Sequence, residues 1–233
     1  MSPGPLENML PASRWALLMD LALPALDHVF AHVALQAGSA PGWTLGDGTA
    51  LALRLAHRIS HDIDIFVAGT PLRLFTPLNN PAARRISATP DWPGHYLKFH
   101  RAEGEIVFLS APLQTDPGYS IETFRGRSIA LETAEEIIVK KIRYRGAQLA
   151  PRDAFDIACC ASVEPALSTL IARETSDALP RLEQGLNILA GRSVEAFQAQ
   201  IRPAEKFSHI LPCSIALVRE VLAKARLAGH SLT

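Results

Sequence analysis

Apolar and polar positions alternate in Asp62-Ile-Asp-Ile-Phe66, which predicts a strand with Ile63 and Ile65 on one face and two carboxylates on the other. Tyr96–His100 and Glu105–Leu109 read the same way, joined by a turn at Ala102-Glu-Gly104. Residues 120–124 and 128–131 predict a hairpin turning at Gly126. Upstream, Trp43-Thr-Leu45 reads as a short strand, Gly46-Asp-Gly48 as a turn, and residues 49–58 as a helix. Leu51, Ala52, Leu55 and Ile59 supply that helix's buried face. A helical segment over residues 12–37 is expected to be capped by Ser13 and kinked or split at Pro24. Residues 70–93, rich in Pro, Asn and Arg, predict a loop beside the cleft. From Thr133 onward the period lengthens to that of helices, expected at 133–147, 152–162, 164–173, 176–190, 193–201 and 212–228. Thr133 with Glu136 makes a capping box for the first of them, and Pro165, Pro180, Pro203 and Pro212 punctuate the rest.

This ordering predicts an α+β chain. Residues 1–132 form an N-terminal helix plus a small mixed sheet flanked by helices, and residues 133–233 form a helical C-terminal region. With 233 residues, 48% of them hydrophobic, the chain buries a full core. Lys and Arg balance Asp and Glu at 23 each, so no global basic field grips nucleic acid. Arg54, Arg58, Arg84, Arg85, Lys140 and Lys141 leave open either a local basic patch, able to seat an RNA by its phosphates, or scattered solvated charge. Cys159, Cys160 and Cys213 form neither a disulfide framework nor a metal set, which fits a reducing cytosol. No basic-then-apolar leader is read at the N-terminus, and Arg14, Asp20, Pro24 and Asp27 interrupt the apolar run over 14–37. A soluble, cytoplasmic protein without a membrane span is therefore expected.

The candidate chemistry centres on Asp62 and Asp64. Two strand residues on one face stand roughly 6.6 Å apart, so their oxygens can converge on a hard divalent ion. Mg²⁺ is typically held by one or two carboxylates together with substrate phosphates. Gly48 permits close approach of backbone to a ligand, and the start of the following helix offers free N–H groups to a triphosphate. A strand, a Gly-containing turn, a helix and then a strand bearing Asp-x-Asp point to metal-dependent nucleotide chemistry. His57 is expected to pack or hydrogen-bond locally, and Arg58 to pair with Asp62 or a phosphate. Ser60 either bonds phosphate or caps the preceding helix. For Lys140 and Lys141 the plain alternative is a solvated helix face shared with Glu135 and Glu136.

The run Leu45-Gly-Asp-Gly-Thr-Ala-Leu through His57-Arg-Ile-Ser-His-Asp-Ile-Asp-Ile-Phe66 resembles the AbiEii/AbiGii-type nucleotidyltransferases. These are toxins of abortive-infection and type IV toxin–antitoxin systems. A second block, Glu135–Arg143 followed by Pro151-Arg-Asp-Ala-Phe-Asp-Ile157, matches the family's Lys-bearing helix and its Arg-Asp-x-Tyr/Phe-Asp-Leu run. The resemblance implies a polymerase-beta-like core in which Asp62 and Asp64 hold Mg²⁺ (or Mn²⁺) and an NTP. Gly48 and Thr49 would cradle the phosphates with Arg58 and Ser60 nearby. Lys141 would meet the triphosphate's charge, and Asp153 would be the downstream acid that activity needs. The implied reaction is nucleotide transfer to an RNA (tRNA-like) or protein hydroxyl, by a toxin neutralised by a separate antitoxin. Two positions depart from the family's wording. Asp47 stands where a Gly is usual, and Val107 stands where a third carboxylate is usual. Glu105, two residues earlier on the same face, is the candidate replacement as a metal ligand. The alternatives are a degenerate nucleotide- or RNA-binding module and a partner-binding protein.

Overall fold

The computed structural model describes residues 6–31, 41–192 and 198–230. Its contacts divide the chain into two units. The first holds residues 1–53, 60–113 and 119–132, and the second holds residues 54–59, 114–118 and 133–233.

The first unit is built on a six-stranded mixed sheet in the order β3-β4-β2-β1-β6-β5. Its strands are β1 (Thr44–Gly46), β2 (Ile63–Phe66), β3 (Tyr96–Arg101), β4 (Gly104–Leu109), β5 (Tyr119–Phe124) and β6 (Arg127–Glu132). β1 runs antiparallel to β2 and parallel to β6, while β2 runs parallel to β4. The period-two pattern sorts the faces as expected. Leu45, Ile63, Ile65, Leu97, Phe99, Ile106 and Phe108 are all fully buried. The alternate positions carry Asp64, Lys98, His100 and Glu105, together with the apolar Val107. Arg125 and Gly126 both have positive φ (46° and 75°), the geometry of a tight two-residue hairpin loop, so the β5–β6 hairpin turns where expected.

Helix α1 (Trp15–Phe30) buries Trp15, Leu18, Met19, Ala22 and Leu26 and contacts β2 and β4. It runs through Pro24 as one element, neither split nor interrupted. Residues 32–37 of the expected segment lie outside the described residues. Ser13 accepts the Trp15 N–H at 3.2 Å, although Arg14 occupies the N-cap position. The stretch 70–93 is not simply a loop. It holds a 3-10 turn at Leu72–Phe75 and helix α3 (Pro81–Ile86). Asn80 accepts from the N–H groups of Ala82 and Ala83, and Pro81 sits at the first helical position, where its missing N–H costs nothing. Proline thus starts a helix here rather than marking a loop.

Helix α2 spans Asp47–Leu55 rather than 49–58. It ends because Ala56 turns left-handed, with φ 50°. Every residue from Asp47 to Leu53 is buried, so the helix lacks the exposed face that its periodicity implied.

The second unit is helical. It comprises α4 (Ala134–Arg145), α5 (Pro151–Val163), α6 (Leu167–Thr175), α7 (Leu179–Ala190) and α8 (Ser214–His230). Glu205–Cys213 is 3-10 helix and carries Pro212, so α8 begins after the proline. Residues 193–197 of the helix expected at 193–201 lie outside the described residues. Thr133 caps α4 by accepting the Glu136 N–H at 3.2 Å. The Glu136 carboxylate does not complete the box, because it accepts instead from the N–H groups of Gln114 and Thr115, the Thr115 hydroxyl and Lys140. Cys159 and Cys160 are buried core residues of α5, and burial pushes both thiols far above the ordinary range.

Candidate functional site

In the first unit, the polar face of the sheet gathers Asp62, Asp64, Glu105 and two side chains not anticipated from sequence, Lys98 and His100. Asp64 lies in the middle of β2, paired in register with Gly46 on one side and Val107 on the other. Asp62 immediately precedes β2, and its Oδ1 accepts the Glu105 N–H at 2.9 Å. Gly104, with φ 143°, makes this placement possible. A Cβ there would stand 3.0 Å from Asp62 Oδ1.

The start of α2 is tied to the same segment. The buried Thr49 hydroxyl donates to the Asp62 carbonyl and lies 2.9 Å from Ser60 Oγ. Ser13 in turn donates to the Ser60 carbonyl. Thr49 and Ser60 therefore fix the chain entering β2, and their hydroxyls serve that link. Gly48 lies inside the first turn of α2. Asp47 holds a φ of 53°, in the left-handed region that glycine enters freely and that Asp tolerates better than most residues. This explains why a glycine-like position accepts an aspartate.

Glu105 shares the polar face, but its carboxylate is already engaged by two basic side chains. Lys98 Nζ lies 2.7 Å from Oε2, and His100 Nδ1 lies 3.1 Å from Oε1. His100 Nε2 also meets Asp91 at 2.8 Å. The Asp91 hydrogen bond, aided by the Glu105 charge, raises the His100 pKa. The Glu105 hydrogen bond, with further attraction from Glu105 and Asp64, raises that of Lys98, which stays cationic. Asp62 and Asp64 offer hard oxygen donors that fit a divalent ion bound with substrate phosphates. Among the described residues, no group of three or more His, Cys, Asp or Glu side chains is arranged to hold a metal by itself.

Arg58, Lys141 and Asp153 belong to the second unit, where they form a buried ionic network with His57 and Asp156. Arg58 grips Asp156 with Nε at 2.7 Å and Nη2 at 3.0 Å, so its carboxylate partner is Asp156 rather than Asp62. Lys141, only 3% exposed, meets Asp153 Oδ1 at 2.7 Å and Asp156 Oδ2 at 3.1 Å. Asp153 also accepts the Ala150 N–H, and Arg145 approaches it at 3.4 Å. Lys140 pairs with Glu136 at i,i+4, yet both Lys140 and Lys141 are buried, which excludes a solvated face.

His57 packs as expected, stacked on Phe155 and edge-on to Phe207, with Nε2 at 2.7 Å from Asp156. An ionised carboxylate only accepts, so Nε2 carries the proton. Burial lowers the His57 pKa more than Asp156 raises it, leaving the ring neutral. Burial alone would raise Asp156. Arg58, Lys141 and the bonds from His57 and Arg58 outweigh it and hold the carboxyl well below the ordinary range. Asp156 is the centre of this network. The sequence signal for it was present in Arg152-Asp-Ala-Phe-Asp156, whose second carboxylate lies one helical turn after the first.

Residues 29–205 of the chain match the family model described as "Nucleotidyl transferase AbiEii toxin, Type IV TA system". Among solved structures, one match is to the crystal structure of a "putative nucleotidyltransferase" from H. pylori. That match has 15% identity, covers 93% of this chain and 96% of the other, and has a TM-score of 0.43. The comparison with curated proteins finds no match.

Proposed function

The chain belongs to the AbiEii nucleotidyltransferase toxin family of type IV toxin–antitoxin systems, and from that premise we propose that it transfers a nucleotide from an NTP to a hydroxyl acceptor. The acceptor class is RNA, with a tRNA-like molecule the first candidate and a protein hydroxyl the second. The observation that carries this reading is the pair Asp62 and Asp64, set on the polar face of the sheet, with Asp62 braced by the Thr49 hydroxyl and the Glu105 N–H.

In the reaction, the acceptor oxygen bonds to the α-phosphorus as the bond to the β-phosphate oxygen breaks. Pyrophosphate leaves with the bonding electrons, and the acceptor proton passes to solvent. A divalent ion, Mg²⁺ or Mn²⁺, held by Asp62 and Asp64 would supply Lewis-acid stabilisation of the charge that develops on phosphate oxygens. The first-turn N–H groups of α2 around Gly48 and Thr49 suit the phosphates, since helix N-termini attract anions. Ser60 keeps this turn and the approach to β2 in register.

Lys141, Asp153 and Arg58 act, in this reading, by building the buried network around Asp156 rather than by touching the triphosphate. Two carboxylates already match the Lys141 charge. The physiological role would be that of a cytoplasmic toxin restrained by an antitoxin protein. No helix among the described residues is long and apolar enough to cross a membrane.

The test is to incubate the protein with each α-labelled NTP, Mg²⁺ or Mn²⁺, and total tRNA. Label should pass to RNA and vanish in Asp62→Asn/Asp64→Asn. Val107 opposite Asp64 favours one rival, a module that binds nucleotide without transferring it. Calorimetric NTP binding with no labelled product would establish that rival instead.

A further inference from the structure

Across the sheet, strand register aligns Asp64 (β2), Val107 (β4) and Lys98 (β3) in one row on the polar face. Partners in register share a face, so Val107 lies directly between the carboxylate and the lysine. In polymerase-beta-like sites a third carboxylate stands near the Asp-x-Asp pair and helps hold a second metal ion. Here that place is apolar, and the next strand presents an ammonium. We propose that Lys98 supplies the second positive charge of the active site, so that the protein works with one divalent ion on Asp62 and Asp64 instead of two. This rests on the nucleotidyltransferase reading above.

Three observations support the assignment. The Lys98 side chain is 27% exposed, so it is not sealed into the core of the sheet. Glu105 holds Nζ at 2.7 Å and Tyr96 underlies it at 5.9 Å from the ring centre, which fixes where the charge sits. The strand register keeps the lysine on the same side of the sheet as Asp64, one strand beyond Val107, so its charge faces the carboxylate pair. Glu105 correspondingly serves as the lysine's counter-ion, and its second oxygen is taken by His100. Glu105 already balances the ammonium, so no acid is needed at position 107 to hold it, which accounts for the valine there. With substrate bound, Nζ would contact an α-phosphate or acceptor oxygen and offset the negative charge that grows there as the acceptor bond forms.

The experiment counts metal ions. Mn²⁺ is titrated into the full-length protein saturated with a non-hydrolysable NTP analogue, and the free-ion paramagnetic resonance signal is followed. Wild type should bind one Mn²⁺ per chain, while Lys98→Ala/Val107→Asp, which restores a carboxylate and removes the ammonium, should bind two. In transfer assays Lys98→Met should lower kcat by about 10²–10³-fold, the loss typical of one preorganised donor. Its analogue affinity should change far less, and Lys98→Arg should recover part of the rate. Two ions in the wild type, or wild-type kcat in Lys98→Met, would overturn the assignment while leaving the transferase reading intact. A wild-type protein that binds neither the analogue nor Mn²⁺ would overturn both.

Discussion

Gly104 shows how one residue sets the geometry of the candidate site. Its φ of 143° is a conformation that L side chains rarely adopt, and its open α-carbon lets Asp62 Oδ1 approach closely enough to accept the Glu105 N–H. Alanine there would meet the Asp62 oxygen at 3.0 Å, a tighter contact than ordinary packing allows, and would also strain the turn. Gly104→Ala should therefore weaken Mn²⁺ binding at least tenfold while leaving the helical content unchanged. Parallel metal titration and circular dichroism check both halves of the expectation. Wild-type metal affinity in this variant would show that the Asp62 position does not depend on the turn. Asp47 and Val107 belong to the same scale. Each is a departure from the family's wording: backbone conformation accounts for Asp47, and the proposed role of Lys98 would account for Val107.

Among elements, α4 and α5 are joined by charge as well as by apolar packing. Ile137, Ile138, Phe155 and Ile157 bury their side chains, while Lys141 on α4 bridges Asp153 and Asp156 on α5. Removing one member of a buried ion pair leaves its partner uncompensated, at a typical cost of about 3–5 kcal/mol. Lys141→Met should lower the denaturation midpoint in urea accordingly. A lysine whose only task is to touch substrate would leave that midpoint in place, so the measurement separates the two roles. The α7 helix shows a second kind of joint. A Cβ at Gly185 would come 2.0 Å from the Gly146 carbonyl oxygen, so the close approach of α7 to the 3-10 turn at Gly146–Gln148 depends on glycine.

At the scale of the whole molecule, the buried network makes stability depend on pH. The His57 ring is neutral in the folded protein because burial lowers its pKa, whereas in the unfolded chain it titrates near 6.5. Below about pH 6.5 the unfolded state then binds the extra proton, so stability falls as pH falls. Asp156 works in the same direction at lower pH. Its depressed pKa contributes stability that is present above the unfolded value, near 3.9, and is lost as pH drops through the folded one. Thermal melting between pH 7.5 and 5 should show a decline in Tm that His57→Gln flattens. An equal slope in that variant would assign the decline to other groups.

Much of the architecture was legible in residue order because the relevant signals are local. Alternation in Asp62–Phe66 and Glu105–Leu109, the hairpin turn at Gly126, and the Thr133 cap each depend on neighbours a few positions away. The Asp-Gly-Thr and Asp-x-Asp run, together with the block over residues 135–157, likewise pointed to the family. Helix α3 was hidden because Asn80-Pro81 serves equally well as a loop signal until the Asn side chain is seen capping Ala82 and Ala83. Only the tertiary structure decided which charges meet. Arg58 found Asp156 across 98 residues, and Lys98 came into line with Asp64 through a strand between them. Ion pairing and strand register are set by long-range packing and by the cost of burying an unmatched charge. Residue order constrains that outcome but does not spell it out, and it is this outcome that decides which cations hold the fold together and which face the proposed substrate.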